Sequence, residues 1–252
     1  MMLRPGLLLL AILAAAIPAR AEEVVASLSQ NRVSIDTNFD GSEILIFGAV
    51  RRETPPPPGE LEVIVTVAGP SLPVVVRRKS RVLGIWVNAE QVEIDRAPSL
   101  YVVATSGPWE EVITETEDLR HKISIGRAIR SVGAAVTDSP NFTEALIRIR
   151  VDDGLYETAV ETVDMQEATL FSTTVALPAN LIEGDYTVRF FLTRDRQVID
   201  SRETVIFVQK VGLERFLFAL AHERPLAYGL LSLAIAIAAG WGASAVFRYL
   251  KS

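Results

Sequence analysis

From Leu226 to Phe247 the chain reads LAYGLLSLAIAIAAGWGASAVF, 22 residues without a charge, and only RYLKS follows. As a helix rising about 1.5 Å per residue, this stretch spans roughly 33 Å, enough to cross a bilayer core of about 30 Å. A buried core helix is usually shorter and carries a polar stripe, which this stretch lacks. The segment 226–247 is therefore expected to be a transmembrane helix anchored in the lipid bilayer. Arg248 and Lys251 follow it directly, and basic residues favour the cytoplasmic side. This predicts a cytoplasmic tail at 248–252, with the bulk of the chain outside. Ala236, Gly240 and Ser244 fall on one face at spacing four, where another membrane helix could approach closely.

The first 21 residues, MMLRPGLLLLAILAAAIPARA, combine Arg4 near the start, an apolar run from Leu7 to Ile17 and small residues at Ala19 and Ala21 on either side of Arg20. That is the pattern of a secretory signal peptide cut after Ala21. The middle of the chain is then exported. With no cysteine in the sequence, a disulfide scaffold, a thiol nucleophile and cysteine metal sites are excluded, and the exported part must hold by packing. The formal net charge of −6 argues against a nucleic-acid surface.

Between 22 and 106 the pattern is one of short strands: VVASLS, RVSID, SEILIFGAV, LEVIVTVAG, LPVVVRRK, GIWVN and LYVVATS. Val33 and Ile35 alternate with polar neighbours, as in a strand with one wet face, whereas Ile44 to Val50 and Leu61 to Ala68 are apolar on both faces. Turn residues at Asp40-Gly41, Thr54 to Gly59 and Gly69-Pro70 separate them. Strands at this spacing predict an antiparallel sandwich of immunoglobulin-like type. Pro55 to Pro58 suit a stiff loop that blunts a sheet edge; a polyproline II docking site is the other reading.

The segment 107–154 is expected to be a partly helical linker. Asn141 followed by Glu144 resembles a capping signal, Phe142, Leu146 and Ile149 share a helical face, and Gly154 can end the helix. Ile147, Ile149 and Val151 also alternate with charged residues, so 142–152 could instead be a strand. Strand patterns return at 155–210, predicting a second β module. Leu181-x-x-Gly184-x-Tyr186 heads one of its strands, the place where sandwich domains put a tyrosine whose hydroxyl ties back to the backbone. The mixed apolar and charged run at 211–225 reads as an interfacial helix. The fold class expected is mainly β: two immunoglobulin-like antiparallel sandwich modules, a short helical linker and one C-terminal transmembrane helix.

Catalytic patterns are absent. There is no Gly-x-Ser-x-Gly turn, no phosphate loop and no dinucleotide glycine signature. The two histidines, His121 and His222, are about a hundred residues apart, too far in different segments to suggest a metal site. Glu110-Glu111 and Asp152-Asp153 read as solvated acids. No enzyme, metal or cofactor is expected. The one constellation with recognition chemistry is Arg77, Arg78, Lys79 and Arg81, directly before Gly84-Ile85-Trp86. Guanidinium groups grip oxyanions through paired hydrogen bonds, so this is a candidate anion or partner-binding patch. The bland alternative is a charged strand end, with Trp86 packed as a core residue.

The runs VAGPSLPVVVRRKSRVLGIWVN at 67–88, PSLYVVATS at 98–106 and LPANLIEGDYTVRFFL at 177–192, with the VGLERFL-to-span junction, resemble the alphaproteobacterial putative transmembrane protein family. The resemblance covers nearly the whole chain after the signal. It implies a single-pass protein of the bacterial inner membrane, with its bulk in the periplasm and no catalytic residues to carry over. It also implies genes near sulfite-exporter-like permeases, and hence an accessory role in transport. Two functional readings follow. One is a tethered scaffold that meets a transporter or other envelope protein; the other is an oxyanion-binding protein that passes its ligand to a permease.

Overall fold

The structure, a computed structural model, describes residues 22–36, 39–131, 139–212, 217 and 220–250, with side chains to 243 in the last stretch. The expected signal peptide at 1–21 and most of the expected interfacial helix lie outside these residues, although Leu220 to Glu223 are helical.

Among the described residues, ten of twelve strands build the two sheets of the body. β1 (Glu22–Leu28), β3 (Ser42–Arg52), β10 (Leu170–Leu177) and β9 (Asp164–Gln166) form an antiparallel sheet in the order β1-β3-β10-β9. β2 (Arg32–Ile35), β12 (Gln197–Lys210), β11 (Gly184–Arg194), β4 (Leu61–Ala68), β7 (Tyr101–Thr105) and β8 (Tyr156–Ala159) form a second sheet in that order. Alternate residues of the two sheets meet in one core, where the Phe171 and Phe190 rings lie 6.0 Å apart beside Ile44, Ile46, Val65 and Val188. Burying this apolar face of each sheet is what holds the layers together.

Two separate modules, 22–106 and 155–210, are not what forms. β10 pairs with β3 and β11 with β4, so each sheet is built from both segments. Nor is the pairing wholly antiparallel: β2 runs parallel to β12 and β8 parallel to β7, one at each edge of the larger sheet. The expected immunoglobulin-like pair is thus replaced by one composite sandwich. Strand pairing is chosen by burial across the whole chain, and neither segment alone has enough partners for its strands.

The segment between the two strand groups supplies α1 (Trp109–Val112), α2 (Glu115–His121), α3 (Ile125–Ala128) and α4 (Ser139–Asp152). The helical reading of 142–152 holds and the strand alternative does not. The helix starts at Ser139, so Asn141 lies inside its first turn and is not the cap. At its end Gly154 has φ +69°, its N–H donates to the Val151 carbonyl, and the Leu155 N–H donates to the Arg150 carbonyl at 2.8 Å. These paired bonds make a Schellman termination, which needs the left-handed glycine.

Tyr101, in the larger sheet, donates its hydroxyl to the Ile123 carbonyl, and Arg189 donates to the His121 carbonyl and to the Tyr101 hydroxyl, binding the helical segment to the sheet. β4 is therefore covered on both faces, as its apolar run suggests. β3 is not. Leu45 and Phe47 stay exposed on the outer face of the smaller sheet, because the helices cover only the larger one. The proline loop joins β3 to β4, both interior strands, so it crosses between sheets and does not blunt an edge.

α5 (Pro225–Leu250) is a continuous helix. Within it Pro225–Ala243 is apolar and long enough to cross a membrane, and none of that window is buried against the rest of the chain. That is the environment a lipid-facing span requires.

Candidate functional site

Between β4 and β7 the chain makes a long excursion. β5 (Ser71–Val82) and β6 (Ile85–Pro98) form a two-stranded antiparallel arm, and near its base Arg96 of β6 also bridges Arg130 through two backbone hydrogen bonds. The arm continues the β4–β7 pair across a short break, where the Gly69 N–H donates to the Leu100 carbonyl and the Ser99 N–H to the Pro70 carbonyl. A side chain at Gly69 would strike Ser99 and Tyr186, so the break is tightly packed. Next to it Tyr186 is fully buried and its hydroxyl donates to the Ile182 carbonyl at 2.9 Å, a backbone tie. Burial raises the Tyr186 hydroxyl above its ordinary pKa.

Only the lower half of the arm is embedded. Val76, Val92, Ile94 and Ala97 are buried, while no residue from Arg77 to Gln91 is. α4 lies against β5 and braces this half. The two elements enclose a cleft of about 380 Å³, lined by Arg77, Arg78 and Lys79 from the arm and by Asn141, Phe142 and Arg148 from α4. Arg78 pairs with Glu90 across the arm, and its guanidinium lies over the Phe142 ring, 5.2 Å from the centroid. No ion pair among the described residues engages Arg77, Lys79 or Arg148. The result is a cationic groove with an apolar floor, suited to an anionic group that also offers an apolar or planar surface.

The structure divides the four-cation patch. Arg77, Arg78 and Lys79 reach the cleft, while Arg81 sits at the turn, its Nε 3.4 Å from the Gly84 carbonyl. Arg148 is the cation that sequence reasoning missed. Asn141, Ala145, Arg148 and Ile149 share one helical face at spacings of four, seven and eight, but nothing in the sequence places that face against the arm.

Trp86 is a correction: it is 68% exposed near the tip of the arm and is no part of the core. A hairpin that leaves the sandwich carries its side chains away from any second layer, so its apolar residues have nothing to pack on.

A larger cleft, about 850 Å³, lies at the other end of the body under Pro56 to Pro58. Its two arginines are already committed. Arg52 donates to Glu22 at 2.6 Å and Arg194 to Glu22 at 2.7 and 2.9 Å. Burial alone would raise the Glu22 carboxyl, but the two guanidinium groups outweigh it and hold the pKa below the ordinary value. This is a structural knot whose charge is spent, so the arm cleft is the better candidate. Among the described residues no group of three or more His, Cys, Asp or Glu could hold a metal ion.

Comparison with known proteins bears on the chain as a whole. A family model described as putative transmembrane protein (Alph_Pro_TM) matches residues 23–249. No curated protein matches. Among solved structures, the sporulation control protein Spo0M from Bacillus subtilis is similar at 11% identity and a TM-score of 0.28, over 79% of this chain and 54% of that one. The chain thus spans about half the length of that protein.

Proposed function

The chain belongs to this Alph_Pro_TM family of putative transmembrane proteins, and on that premise we propose that it is a membrane-anchored, non-catalytic binding protein that docks an acidic segment of another envelope protein. The arm cleft is the observation that carries the reading: Arg77, Lys79 and Arg148 line it around the Phe142 floor and, among the described residues, are engaged in no ion pair. An anchor holds such a cleft at the membrane, where the effective concentration of a neighbouring membrane protein is high. The basic residues after the span support the assignment of the β body to the periplasm and the tail to the cytoplasm. A transporter of the sulfite-exporter-like kind is the partner class that the family resemblance favours.

The second reading keeps the same cleft and gives it a small oxyanion such as sulfite or sulfate. Its volume and its cations favour that reading equally; its half-open position on an arm favours the first.

The test is the full-length variant with Arg77, Lys79 and Arg148 replaced by Ser. All three are exposed and, among the described residues, in no ion pair, so stability should stay within about 0.5 kcal/mol of the parent. Partners recovered with the parent from membranes after cross-linking should be lost with the variant. Unchanged recovery would overturn the docking reading, and heat released on titrating the parent with sulfate or sulfite would move the assignment to the oxyanion.

A further inference from the structure

The tip of the arm is a separate feature from its cleft. Val82, Leu83, Ile85 and Trp86 surround the turn, with Leu83 100%, Ile85 65% and Trp86 68% exposed. Leu83 holds φ +50° and Gly84 φ +89°. A hairpin turn of this kind ordinarily takes Asn, Asp or Gly at its first position. Leucine there is strained and fully in water, and such a local conflict is retained where it serves contact with something else.

Charge and direction identify that contact. From Arg77 to Asn88 the arm carries four cations and no acid, on a chain whose formal net charge is −6. β4 and β12 are both antiparallel to β11, and both reach the level of Thr187, β4 at Ala68 and β12 at Val205. They run the same way. β4 passes into the arm after Ala68, and β12 passes through Lys210 toward the apolar helix α5. The arm and the chain leading to the membrane therefore leave the body at the same end, opposite the Glu22 knot, where Arg194 pairs with Leu61. Its unburied half, seven residues of about 3.3 Å from Arg77 to Leu83, reaches out roughly 20 Å.

We propose that this tip enters the headgroup layer of an anionic phospholipid bilayer, with Leu83, Ile85 and Trp86 in the acyl boundary and Arg81 on the phosphates. The chemistry is that of interfacial anchoring. Trp favours the headgroup level, apolar side chains leave water, and cations gain from the negative surface. A second point of lipid contact fixes the tilt of the body and brings the cleft close to the membrane plane. The inference rests on α5 being the anchor but not on what occupies the cleft.

The chain has no cysteine, so single labels can be placed without background. Full-length Leu83→Cys and, as the membrane-distal control, Glu60→Cys would be spin-labelled and reconstituted into vesicles of phosphatidylethanolamine with phosphatidylglycerol. Collisions with oxygen, which dissolves in lipid, are then compared with those of an aqueous nickel chelate. The label at position 83 should show an oxygen-to-nickel ratio several-fold above that at position 60. The excess should fall in phosphatidylcholine vesicles and in the Arg81→Ser background. Equal ratios at the two positions overturn the proposal. So does shielding seen only in native membranes and absent from pure lipid, which would assign the tip to a protein, or shielding indifferent to lipid charge.

Discussion

Glu22 opens β1 and binds the two sheets through its side chain: Arg52 belongs to β3 in one sheet and Arg194 to β11 in the other. The neighbouring Val24 N–H donates to the Asp200 carboxylate in β12 at 2.9 Å, so the same strand is tied across the sandwich twice. Removing one partner of such a buried pair leaves uncompensated charge, and Glu22→Ala should cost about 3 to 5 kcal/mol in urea denaturation of the full-length protein at neutral pH. The sign of the pH effect follows from the lowered folded pKa. The contribution is fully present above the ordinary value of 4.5 and is lost as pH falls through the folded value. The parent should therefore lose stability below pH about 4.5 more steeply than Glu22→Ala. Equal acid sensitivity in the two proteins would refute the knot.

At the scale of elements, α4 and the arm depend on each other. A lone two-stranded hairpin is marginal in water, and this one gains its support from Phe142 and the lower apolar residues. The termination of α4 at Gly154 decides where β8 begins two residues later and so keeps Leu155 and Tyr156 buried. Tyr156 in turn donates to the Pro98 carbonyl at the base of the arm at 2.7 Å, and burial pushes its hydroxyl up to about 12. No atom crowds a Cβ at Gly154, so Gly154→Ala tests the left-handed backbone alone. It should destabilise by about 1 kcal/mol, and Gly154→Asn, which tolerates that conformation better, by less, both read from thermal or urea unfolding. Equal losses from the two would show that the φ value is not what matters there.

At the scale of the molecule, the sandwich is one cooperative unit. β1 to β7 come from the first segment and β8 to β12 from the second, yet neither sheet is complete without both. A fragment covering 22–106 should thus remain unfolded, whereas 22–210 should fold without membrane or metal, give a dichroism spectrum dominated by sheet, and unfold in a single transition. Folding of 22–106 by itself would contradict the composite. The two ends of this unit differ. One bears the Glu22 knot and the proline loop, and the other sends out both the arm and the chain toward the apolar helix.

Much of this architecture was legible locally. The uncharged span, the strand runs, the glycine stop at 154 and the position of Tyr186 at the head of its strand follow from period, turn chemistry and hydropathy within a few neighbouring residues, whereas 142–152 fits helical and strand periods alike and packing chooses the helix. Pairing was not legible. Whether β3 meets a strand about 120 residues away depends on which combination buries the most apolar face, and that sum runs over the whole chain. The same limit explains Trp86 and Arg148. An aromatic residue after a basic run reads as core unless the hairpin that carries it is known to leave the body, and a helical arginine reads as solvated until its face is set against the arm. The sequence by itself determined most of the elements and the apolar span, because those are properties of local dihedrals and of a run of side chains long enough to cross a bilayer. Only the tertiary structure decided the composite sandwich, the exposed tip and the cationic cleft, because each exists through contacts between residues far apart in the chain.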